Sequence, residues 1–247
     1  MVGASVAGTS HVAVGQACQD DHAAEIVSAG GDTVALLAVA DGAGSAAASR
    51  FGARTAVDAA LRALRAAFER DGRAGLCTDW LRDAVADARA SVYQAADQYG
   101  HVPQEYSCTL LLAVVAPQRT LAAHVGDGAI VVEDDALRVL SFPEQGEYAN
   151  VTRFLVDSDA LDAVRVCDHG PVRRIALLTD GLQALALDYA TATAFSPFFD
   201  PIFSHVERTN DAREETDAQL AGWLDSPAVN ERTDDDKTLL IAVRTVA

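Results

Sequence analysis

Apolar positions recur along this chain with two different periods, and each switch between them marks an element boundary. Residues 33–40 form an almost unbroken apolar run of strand length, a pattern that fits burial on both faces. After Ser45 the period becomes helical. Val57, Leu61, Leu64 and Phe68 fall at helical intervals, with Asp58, Arg62, Arg65 and Glu69 around to one side. Residues 77–99 predict a second helix, with Thr78 as N-cap and Trp80, Val85, Val92 and Tyr99 among its apolar positions. Gly100 and Pro103 close it.

The remainder reads mostly as short strands. Residues 5–14 and 23–28 are β-permissive, separated by the polar GQACQDDH. Between 105 and 140 the runs YSCTLLLAVV, TLAAHV, AIVVE and LRVLS are broken by tight turns, which predicts an antiparallel meander. Residues 141–162 are polar and irregular. Strands resume at 163–167 and 172–179, helices are expected within 188–208 and 211–225, and KTLLIAVRTV forms a final strand. Strands fall into two groups, each followed by a helical pair. That order predicts an α+β fold of two stacked sheets with helices on their outer faces, in one domain spanning 1–247.

Composition narrows the function. No apolar run reaches the ~18 residues of a membrane span, and the N-terminus lacks the basic segment and apolar run of a secretion signal. A cytoplasmic protein that does not enter the membrane is expected. A formal charge of −17 argues against nucleic acid, whose phosphates would be repelled. Cys18, Cys77, Cys108 and Cys167 are scattered, so reduced thiols are expected rather than zinc or a disulfide framework.

Against that background the Asp-Gly dipeptides stand out. Asp71-Gly72 ends a helix and reads as turn chemistry. Asp41-Gly42, Asp127-Gly128 and Asp180-Gly181 each follow an apolar strand-like run, so each carboxylate emerges from a strand end near the core. Buried carboxylates are costly without compensation, and no lysine or arginine is adjacent in sequence. A hard divalent cation would supply the missing charge. Gln19-Asp20-Asp21 and Asp234-Asp235-Asp236 are further acidic clusters that could converge with these. Two readings stand at this point: an oxygen-ligated metal site, or turns and an acidic surface.

The ordered motifs decide between them by resemblance. QDD at 19–21, ADGAGS at 40–45, SCTLLLAVV at 107–115, AHVGDGAIVV at 123–132, LLTDGL at 177–182 and DDKTLLIAV at 235–243 resemble, in order and spacing, the metal-dependent Ser/Thr protein phosphatases of type 2C, in a compact bacterial form. The resemblance implies a four-layer α/β/β/α sandwich with a dinuclear Mg²⁺ or Mn²⁺ centre at one edge. It implies that Asp41 bridges the two ions, that the Gly42 carbonyl binds one, and that Asp180 and Asp235 complete the other. Asp20 matches an acid acting through bound water, and Asp127 a ligand of a weaker third ion. The implied reaction is hydrolysis of phosphoserine or phosphothreonine in proteins by metal-activated water, without a side-chain nucleophile. The implied partners are a phosphoprotein and the kinase it opposes. A small phosphomonoester, or a silent phospho-binding role, are the alternatives.

Departures from the family pattern bear on substrate handling. Gly15 stands where many members carry a phosphate-clamping arginine, with Arg50, Arg54 and Arg153 as candidate replacements. Ala43 stands where some carry a proton-donating histidine, with His11 and His22 nearby in sequence. Gln19 replaces a common acid, and Ser107 a common glycine; Ser107, Cys108 and Thr109 read as packing residues. Asn150 and Thr152 belong to the loop that takes the place of a flap over the site.

Overall fold

The computed structural model describes residues 1–143, 152–209 and 213–244. In chain order the elements are β1 (Val2–Val6), α1 (Thr9–Ala13), β2 (Asp21–Ala29), β3 (Asp32–Ala40), α2 (Ser49–Asp71), α3 (Asp79–Tyr99), β4 (Leu110–Val115), β5 (Thr120–Val125), β6 (Ala129–Glu133) and β7 (Leu137–Ser141). They continue with β8 (Arg165–His169), β9 (Arg174–Leu178), α4 (Gln183–Ala186), β10 (Leu187–Asp188), β11 (Thr193–Ala194), α5 (Ser196–Arg208), α6 (Arg213–Leu224), α7 (Pro227–Asn230) and β12 (Lys237–Val243).

Two five-stranded antiparallel sheets face each other, one ordered β1-β12-β9-β6-β7 and the other β2-β3-β4-β5-β8. The alternation of side chains along β3 explains why its sequence is apolar throughout. Leu36 and Ala38 pack toward Leu61, Leu64 and Phe68 of α2, together with Leu81 and Val85 of α3. Leu37 and Val39 pack the other way, against Ile130, Leu177 and Leu240 of the facing sheet. On the far side, Phe198, Phe199 and Phe203 of α5 and Leu220 and Leu224 of α6 cover β9 and β12. The layers are therefore helix pair, sheet, sheet, helix pair, as expected. No helix among the described residues is long and apolar enough to cross a membrane.

Three expectations need correction. The segment 105–140 is not one meander: β4 and β5 belong to one sheet, β6 and β7 to the other. Hairpin signals are the same in either sheet, so periodicity could not see the crossing at 126–128. Gly126 makes it possible with a φ of +108°, a conformation that side-chain-bearing residues rarely adopt. Residues 5–14 are not one strand either, since β1 ends at Val6 and 9–13 turn helical. Tyr99, on the last turn of α3, is exposed rather than buried.

Candidate metal centre

The crossing between the sheets carries Asp127 to the edge where β3 and β9 end. Asp41 leaves β3 and Asp180 opens a single 3₁₀ turn after β9. One carboxylate oxygen from each of Asp41, Asp127 and Asp180 lies within 4.8 Å of the others. The backbone holds each in place. Thr109 Oγ1 accepts the Asp41 N–H at 3.0 Å, and the Thr109 N–H returns to the Asp41 carbonyl at 2.8 Å. Gly42 bridges to Cys108 alongside. Gln183 Nε2 donates to the Asp127 carbonyl, and the Thr152 hydroxyl donates to Asp127 Oδ2. Gly181 packs so closely on the residue that precedes β12 that an added Cβ would lie 1.9 Å from the Asp236 carbonyl oxygen.

Asp20 sits behind this group and is buried. Its Oδ2 accepts from the hydroxyls of Thr179 at 2.9 Å and Thr238 at 2.8 Å. Its Oδ1 is buried without a hydrogen-bond partner among the described residues, as is Oδ1 of Asp127.

The electrostatics are those of a cage of like charges. Burial pushes Asp20 up to about 8, with the charges of Asp236 and Asp180 adding and the two threonine hydroxyls opposing. Asp41 is raised well above the ordinary carboxylate range by burial, then by Asp20, Asp180 and Asp127. Asp180 is raised to about 6 by burial first, with Asp127 and Asp235 adding and a hydrogen bond to Asp41 opposing. Every charge acting on Asp41 in this set is another carboxylate. Orphaned buried oxygens among converging carboxylates are what a hard divalent cation would satisfy, so the residues present fit Mg²⁺ or Mn²⁺.

The remaining candidates separate. Asp235 is exposed, near enough for its charge to raise Asp180, but stands outside the tight group of three. Asp236 points inward and is structural: its carboxylate takes the Gly8 N–H at 2.7 Å, His11 Nδ1 at 2.8 Å and the Gln19 N–H at 2.5 Å. His22 is turned to Ser5 Oγ at 2.8 Å. Arg54 pairs with Asp58 at 3.9 Å and Arg153 with Asp159 at 3.2 Å, while Arg50 is exposed. Asn150 lies outside the described residues. Sequence reasoning missed Thr109, which holds the Asp41 backbone rather than merely packing. It also missed Gln183 and Tyr189, whose hydroxyl donates to Gln183 Oε1, and Arg165, which donates to the carbonyls of Gly126 at 3.1 Å and Phe142.

The chain is similar to known proteins over nearly its whole length. A sequence model described as protein phosphatase 2C matches residues 7–225. The chain is 36% identical over 248 residues to serine/threonine-protein phosphatase 3 of Escherichia coli (strain K12), covering 98% of this chain and 97% of that protein. It superposes on the catalytic domain of the serine threonine protein phosphatase PstP in complex with two manganese ions, with a TM-score of 0.58 and 18% identity, over 91% of this chain and 97% of that one. Stp1 from Staphylococcus aureus gives a TM-score of 0.57 at 16% identity, over 92% and 90%.

Proposed function

The chain belongs to the protein phosphatase 2C family and is a protein serine/threonine phosphatase; from that premise we propose that it removes phosphate from phosphoserine and phosphothreonine using water activated at the carboxylate edge. The single observation that carries this reading is the convergence of Asp41, Asp127 and Asp180 at three strand ends. Asp41, Asp180, Asp235 and the Gly42 carbonyl would hold two cations, Asp127 with Asp180 a weaker third, and Asp20 would act through water. When bound, two such cations supply charge to the phosphoryl oxygens and lower the pKa of water. Rigid strand ends keep the ligand oxygens at fixed separation.

One feature of the chain's own residues supports hydrolysis by water, and a second supports a polypeptide substrate. Burial holds the Cys108 thiol, beside Gly42, up at about 12, so it is protonated at neutral pH and is no nucleophile. The loop that follows Asp41 lines an open cleft of about 270 Å³, through Ala43, Ser45 and Ala46, facing Gln104, Glu105 and Phe154. An open shape suits a polypeptide better than an enclosed metabolite. The four cysteines are free thiols, in keeping with the cytoplasmic setting expected above; a kinase acting on the same phosphoprotein completes the picture.

The test is hydrolysis of a phosphothreonine peptide by the purified chain. Turnover is expected with added Mn²⁺, and is expected to vanish with chelator. Asp41→Asn is expected to lower it by about 10²–10³, the scale of losing one group that stabilises transition-state charge. Hydrolysis indifferent to chelator would overturn the reading. Faster turnover of small phosphomonoesters than of any phosphopeptide would select the alternative substrate class.

A further inference from the structure

The space between the two sheets is aliphatic over most of its extent, but a polar seam crosses it at the edge where β1, β2 and β12 meet. Ser5 and Thr238 are register partners on β1 and β12, and their hydroxyl oxygens lie 2.7 Å apart. Thr238 Oγ1 is 2.8 Å from Asp20 Oδ2, and Ser5 Oγ is 2.8 Å from His22 Nδ1. Thr179 Oγ1 accepts the Thr238 N–H at 2.9 Å and donates to the same Asp20 oxygen.

Thr238 carries one hydroxyl proton, and the Asp20 carboxyl oxygen is the stronger of its two neighbouring acceptors. Ser5 Oγ stands next in the seam, between Thr238 Oγ1 and His22 Nδ1. Asp20 Oδ2 takes two hydroxyl donors from the facing sheet, Thr238 on β12 and Thr179 just past the end of β9, while Oδ1 has none and is buried. Rotation of the carboxylate would exchange the two oxygens, and it would break both bonds.

We propose that Thr179 and Thr238 are positioning residues, backed by Ser5 and His22, that fix one oxygen of Asp20 so that the other stays directed at the cation centre. The inference rests on the cation reading above. Outer partners of this kind commonly control metal affinity by about 10–100-fold. Valine in place of threonine keeps the shape and removes the hydroxyl, whereas serine restores it.

The experiment measures Mn²⁺ binding by calorimetry on the full chain, together with melting in chelator. Thr238→Val and Thr179→Val are expected to bind Mn²⁺ about tenfold more weakly, and Thr238→Ser within about twofold of the parent chain. Valine variants that melt at a lower temperature in chelator yet bind Mn²⁺ as the parent does would overturn the proposal, because the hydroxyls would then be structural only. Should the valine variants fail to fold, Ser5→Ala removes the next link and is expected to weaken Mn²⁺ measurably; unchanged affinity overturns the proposal equally. If the parent chain binds no Mn²⁺, it is the cation reading that fails, and the two failures are told apart.

Discussion

Replacing Asp180 with asparagine should make the metal-free protein more stable while destroying its chemistry. Asp180 is raised to about 6 in the folded protein against an ordinary 3.8, mainly because it is buried and faces Asp127 and Asp235. Between those two values the folded state holds a proton that the unfolded state has lost, so stability falls as pH rises through that window. At pH 7 the carboxyl is ionised in both states and the folded one bears the full cost. At about 1.4 kcal/mol per pH unit this is about 3 kcal/mol. Asparagine removes the charge and keeps an oxygen acceptor, so a gain of about 2 kcal/mol is expected after allowing for imperfect hydrogen bonding. Urea unfolding at pH 7 in chelator reads it as a higher midpoint with unchanged slope. The gain should shrink toward pH 4, and with Mn²⁺ the parent chain should overtake the variant through ligand binding to its folded state. A variant less stable than the parent in chelator at pH 7, or a gain that ignores pH, would refute the reasoning.

Other outcomes follow from the same site. Urea melts of the metal-free parent should show stability falling between about pH 5 and pH 8 as Asp180, at about 6, and Asp20, at about 8, lose protons that the unfolded chain gives up near 4; a flat or rising profile would contradict the crowding of carboxylates. Gly181→Ala should cost about 3 kcal/mol or more by chemical denaturation, since its Cβ would meet the Asp236 carbonyl at 1.9 Å; near-neutral behaviour would mean the turn after β9 is looser than described. Asp127→Asn should leave two Mn²⁺ ions bound by calorimetry while turnover falls, and unchanged turnover would remove Asp127 from the chemistry.

What could be read from the sequence had local causes. Asp41, Asp127 and Asp180 were visible because each interrupts or follows an apolar run that a buried strand requires, and α2 was visible because Val57, Leu61, Leu64 and Phe68 share one helical face. What could not be read depends on partners distant along the chain. Thr109 reaches Asp41 across 68 positions, Gln183 reaches Asp127 across 56, and Thr238 reaches Asp20 across 218. No local period encodes those meetings. The three aspartates at 234–236 were indistinguishable as a run, and only the resemblance singled out Asp235. In the fold, Asp236 turns inward to fasten Gly8, His11 and Gln19, while Asp235 stays at the surface beside Asp180. Likewise His11 and His22, candidates by proximity in sequence, are both engaged with other side chains.

The union of β1 with β12, and of the Asp236 carboxylate with the stretch from Gly8 to Gln19, has a consequence for biosynthesis. β1 has its strand partner 233 residues further along the chain, so its edge stays unpaired until β12 has been made. A nascent chain that already displays Asp41, Asp127 and Asp180 has Thr179 but still lacks Thr238, the second hydroxyl that holds Asp20. The sheet edge that carries Asp20's hydroxyl partners is therefore closed late, when β12 takes its place between β1 and β9.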